Sequence, residues 1–111
     1  MGAGVYMHLK FESEEEGFAD KVDTYLNKFV FDLPVDKKGP NYRYLHSYFS
    51  FPTVSYFLED LVPISEGGKI TLFMDVEENE IIILEAENGK LIKNESHELH
   101  NSSRLFLEVF E

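Results

Sequence analysis

EIIILEAENGKLIK, residues 80–93, is the stretch that decides the fold. Successive side chains on a strand point to opposite sides of a sheet, so four aliphatics in a row, Ile81 to Leu84, require cover on both faces. The segment therefore belongs inside a sheet. Asn88-Gly89 follows, the pair best suited to the two positive φ angles of a type I′ turn. Such a turn sets Glu87 opposite Lys90 and Ala86 opposite Leu91.

The pattern extends outward on both sides. KITLFMDV, 69–76, alternates as a strand with Ile70, Leu72, Met74 and Val76 on one side; EENE, 77–80, is an acidic turn, and SEGGK, 65–69, a second turn. Val54, Phe57, Leu58 and Leu61 follow helical spacing, with Pro63 as the stop. Upstream, YRYLHSYFSF alternates again. Tyr42, Tyr44, His46 and Tyr48 share one face; Arg43, Leu45, Ser47, Phe49 and Phe51 share the other; Pro52 ends the strand. DLPVDKKGP, 32–40, is a loop. Phe18, Val22, Tyr25, Leu26 and Phe29 mark a helix over about 14–29, with Ser13 and Glu16 spaced as a capping box. VYMHLKF, 5–11, is a strand with Val5, Met7, Leu9 and Phe11 on one side and Tyr6, His8 and Lys10 on the other.

Beyond the hairpin, KNESHELHNSS is polar, part strand and part loop. RLFLEVF, 104–110, is apolar on both faces and reads as a strand; a helix is the alternative, because Leu105, Phe106, Val109 and Phe110 also suit helical spacing. The order is β-α-β-α-β-β-β-β. It implies one α+β domain over 1–111, a mostly antiparallel sheet of about five to six strands with two helices on one face.

Composition excludes several classes of function. The chain has no cysteine, hence no disulfide, thiolate nucleophile or cysteine-held zinc. No run approaches the roughly 18 apolar residues of a membrane span. The start, MGAGVYMHLKF, lacks a basic region followed by an apolar one, so a cytoplasmic protein is the expectation. The net charge is −11. Nucleic-acid affinity comes from Lys and Arg displacing counterions, so direct nucleic-acid binding is not expected. The acid excess is uneven: residues 44–89 hold nine acids and only one base, Lys69. A negative field of this kind draws cationic partners.

No catalytic motif is present. His97 and His100 stand in HExH, one residue short of the zinc-protease spacing. Asp75, Glu77, Glu78 and Glu80 lack the spacing and glycine of a calcium loop. No serine has the setting of a nucleophile, and no glycine loop matches a phosphate cradle. The expectation is accordingly no enzyme, no cofactor and no metal.

Surplus rings beside surplus carboxylates remain. Buried rings anchor protein interfaces, and carboxylates around them select a basic partner. The candidate partner-binding residues are Tyr42, Tyr44, His46 and Tyr48 as anchors, with Asp75, Glu77, Glu78, Glu80, Glu85 and Glu87 as charge. The expected function is neutralisation of a basic protein by a monomer or weak dimer, most concretely an immunity protein blocking a bacterial toxin, with a nuclease domain as the target. A secretion chaperone and a DNA-imitating phage inhibitor are the alternatives.

Overall fold

The computed structural model describes residues 2–30, 36–76, 80–98 and 102–110. The elements are β1 (Gly2–Glu12), α1 (Phe18–Val30), β2 (Asp36–Gly39), β3 (Tyr42–Ser50), α2 (Phe51–Ile64), β4 (Lys69–Val76), β5 (Glu80–Glu87), β6 (Lys90–His97) and α3 (Ser102–Phe110). The six strands form one antiparallel sheet in the order β2-β3-β1-β4-β5-β6. The α+β class read from the hairpins is the observed one.

One sheet face carries α1 and α2. Val5, Met7, Leu9 and Phe11 of β1, Leu45 of β3, alternate residues Ile70 to Val76 of β4, and Ile82, Leu84 and Ala86 of β5 all point into this layer. They meet Phe18, Val22 and Leu26 of α1 and Val54, Phe57 and Leu61 of α2. The other face of β5 also finds cover, as its aliphatic run demands. Ile81 and Ile83 join Phe73 of β4 and Leu105 of α3 in a second buried cluster.

The last element corrects the reading of 104–110 as a strand. It is a helix, and it lies on the face opposite α1 and α2, so three helices cover the sheet from both sides rather than two from one. A strand would have sent half of Leu105, Phe106, Val109 and Phe110 away from the sheet. As a helix the four form one stripe over Phe73, Ile81 and Ile83. Lys10 completes the docking: its Nζ donates to the Val109 carbonyl (2.6 Å), one of the free acceptors of a helix end, and lies 5.2 Å from the Phe110 ring centre.

Four further features differ from expectation. The Ser13–Glu16 capping box does not form, because α1 begins at Phe18. Gly17, at φ 87°, turns the chain first, and the Ser13 hydroxyl instead donates to Gly67 O (2.6 Å) while accepting from Glu15 N (2.9 Å). Pro52 opens a helix as well as ending a strand. It lies in the first turn of α2, where its missing N–H costs nothing, and Ser50 Oγ caps that turn through Thr53 N (3.2 Å). Pro63 sits inside the last turn of α2 without stopping it, and Ser65 N closes the helix onto Leu61 O (3.1 Å). Finally, Asp36–Gly39 is not loop but a short edge strand held to Tyr42–Tyr44 by backbone pairing, which side-chain pattern does not report.

The Asn88-Gly89 turn has φ of 51° and 80°, the positive values the dipeptide favours. Glu87 faces Lys90 and Ala86 faces Leu91, after which the register slips by one residue, so that Glu85 faces Lys93.

Candidate functional site

The register lays out the α3 face of the sheet row by row. At one end Tyr48 stands on β3 beside Gly4 of β1. The next row runs His46, Tyr6, Asp75, Ile81, His97 across five strands. Then come Tyr44, His8, Phe73, Ile83, Glu95, and then Tyr42, Lys10, Thr71, Glu85, Lys93. The far end is Glu12, Lys69, Glu87, Lys90.

Helix α3 divides the four ring residues of β3. Tyr42 is half-buried: its hydroxyl is 2.7 Å from His8 Nδ1, and its ring centre lies 5.1 Å from that of Phe110. Burial raises the Tyr42 pKa above the usual tyrosine value. Tyr44 is half-buried against His8 (4.7 Å), which also meets Phe106 at 4.7 Å. These two rings belong to the docking of α3.

His46 and Tyr48 lie beyond its reach. His46 is exposed and stacks flat on Tyr6, with centroids 4.0 Å apart and planes 4° from parallel. Tyr48 is 75% exposed, 6.3 Å from His46. Three rings from two neighbouring strands thus form a platform at the open end of the face, on backbone held by the β1–β3 ladder. Asp75 is Tyr6's cross-strand neighbour on the other side, so a carboxylate borders the platform. Tyr6 was not among the residues singled out. Its alternation placed it on the correct face, but only the β1–β3 register brings it to His46.

The remaining acids are dispersed. Glu80 occupies the other face, where it accepts from Ser96 Oγ. Glu85 has Lys93 as cross-strand neighbour, and Glu87 lies between Lys69 and Lys90 at the far end. Glu77 and Glu78 lie outside the described residues, as does His100. His97 approaches Glu95 Oε1 (2.8 Å), and that hydrogen bond lowers the Glu95 pKa. No group of three or more His, Asp or Glu placed to hold a metal occurs among the described residues. No helix among them is long and apolar enough to cross a membrane.

A second gathering of carboxylates was not foreseen. Glu12, Glu14 and Glu87, with Ser13, Asn41 and Asn88, line an open depression at the far end of the sheet. It lies between the turns that follow β1, α2 and β5, so side chains distant in sequence meet there. Lys69 shares the same wall. Comparison with family models, with curated proteins and with solved structures finds no match to this chain.

Proposed function

We propose that the chain is a small acidic binding protein that docks and neutralises a basic partner protein through the ring platform of Tyr6, His46 and Tyr48. The observation that carries the reading is the 75% exposure of Tyr48 beside an exposed, flat-stacked His46 on a paired sheet. Large rings held rigidly in water offer contact area at little entropy cost, which is what interface anchors supply. The net charge of −11 sets the sign of the partner and speeds its approach.

The most concrete form of this reading is a cytoplasmic immunity protein that covers the cationic groove of a toxin nuclease. Blocking is then steric and electrostatic, with no turnover and no cofactor. Imitation of a nucleic-acid strand is disfavoured, because Glu85 and Glu87 alternate with Lys69, Lys90 and Lys93 instead of forming an unbroken anionic row.

The test is binding to isolated cationic nuclease domains, measured at low and high salt. Tyr48→Ala combined with His46→Ala should weaken binding by about 2 kcal/mol or more, roughly thirtyfold, while leaving the unfolding midpoint unchanged. Association should slow as salt rises. Unaltered affinity in the double variant refutes the platform as the docking site.

A further inference from the structure

The edges of the sheet are unequal. β2 is four residues long, ends at Gly39 and is followed at once by Pro40, so it offers little to another strand. β6 is eight residues long, contains neither proline nor glycine, and terminates the strand order. Every residue from Lys90 to Ser96 is exposed, including Leu91 (50%) and Ile92 (53%). An edge of this length is a template for a further strand.

We propose that β6 pairs with β6 of a second copy of the chain, antiparallel, with Asn94 on the twofold axis. The charge pattern selects both the occupant and the register. A twofold centred on Glu95 would set that carboxylate against itself, and one centred on Lys93 would oppose two ammonium groups. Centred on Asn94, Lys93 faces Glu95 of the second copy and Glu95 faces its Lys93, two reciprocal ion pairs across one seam. The strand is therefore complementary to itself. Within one chain Lys93 and Glu95 are already 3.8 Å apart on the same face, each a little over two-fifths exposed, so the exchange of partners needs only side-chain rotation.

The association is weak. One strand pair covers less than the ~1,200 Å² of a standard interface, and the register slip beside Ile92, repeated on the second copy by the twofold, confines regular pairing to Lys93, Asn94 and Glu95. The seam is four strands from β3, about 19 Å at the usual strand spacing, so both ring platforms stay open and the dimer presents two of them.

The experiment is sedimentation of the full chain over a range of concentrations at physiological ionic strength, where the net charge is screened within about 8 Å. Wild type should pass from one-copy to two-copy mass with a midpoint below about 1 mM. Lys93→Glu and Glu95→Lys should each weaken self-association at least tenfold, because each sets like charges face to face. An equimolar mixture of these two variants should restore the dimer, since both ion pairs re-form between unlike copies. Circular dichroism of each variant confirms that it is folded. A wild type that stays monomeric up to roughly millimolar concentration overturns the proposal. So does a dimer indifferent to either reversal, or a mixture that fails to restore it.

Discussion

Asp23 on α1 grips the guanidinium of Arg43 on β3 with both carboxylate oxygens, Nε to Oδ1 at 2.6 Å and Nη2 to Oδ2 at 3.0 Å. Arg43 is 4% exposed and also donates to the carbonyls of Gly39 and Pro40. One side chain thereby fastens α1 to the β2–β3 turn. Asp23→Ala would strand a buried cation and should cost about 3 kcal/mol in urea unfolding. Replacing both partners together, Asp23→Leu with Arg43→Met, should cost less than the single change, because no charge is then left unpaired.

Alkaline pH should weaken the fold through Tyr25. Its hydroxyl donates to Asp60 Oδ2 (2.9 Å) between α1 and α2. Burial first, then that hydrogen bond and the Asp60 charge, raise its pKa above the value in the unfolded chain, near 10. Below about pH 10 both states keep the proton and stability is full. Above it only the unfolded state releases the proton, so stability falls as pH rises. Tyr42, raised by burial, acts in the same sense. Stability measured between about pH 8 and 11 should show this decline, and Tyr25→Phe should flatten it in part.

Ser65 ties the end of α2 to the β5–β6 hairpin. It is fully buried; its Oγ donates to Val62 O (2.6 Å) and accepts from Gly89 N (3.0 Å). Ser65→Ala leaves the Gly89 N–H without that acceptor and should cost about 1–2 kcal/mol by thermal unfolding.

Leu105 is the buried anchor of α3, at 4% exposure. Leu105→Ala should cost about 2–3 kcal/mol and loosen the helix. The same change has a spectroscopic signature. With Phe110 less firmly over it, Tyr42 regains solvent, and its ionisation, followed by ultraviolet absorbance, should move down toward the ordinary tyrosine range.

Much of this architecture is legible in the chain. Four adjoining aliphatics and Asn88-Gly89 reveal a doubly covered strand and a hairpin because both signals are local. Alternation in residues 5–11 and 42–49 assigns each side chain to a face for the same reason. Non-local relationships are silent. Nothing in Asp23, which lies off the apolar stripe of α1, points to Arg43, and nothing in Tyr6 points to His46. The ending 104–110 fits two periodicities at once, and only the unfilled face of β4 and β5 decides for a helix. The candidate site divides similarly: the ring face of β3 is visible in the sequence, but which half stays open depends on where α3 lands.

β1 occupies the middle of the sheet, between β3 and β4, although it precedes both in the chain. Its neighbours arrive some 30 and 60 residues later, so no hairpin can nucleate it, and each ladder must close a long loop first. The 80–97 hairpin can zip early, yet it has nothing to rest on until β1 is seated. Assembly should consequently be slow for a domain of this size, and the half-built intermediate would show β4 as a bare margin, which makes the interval before closure the time of greatest risk of aggregation.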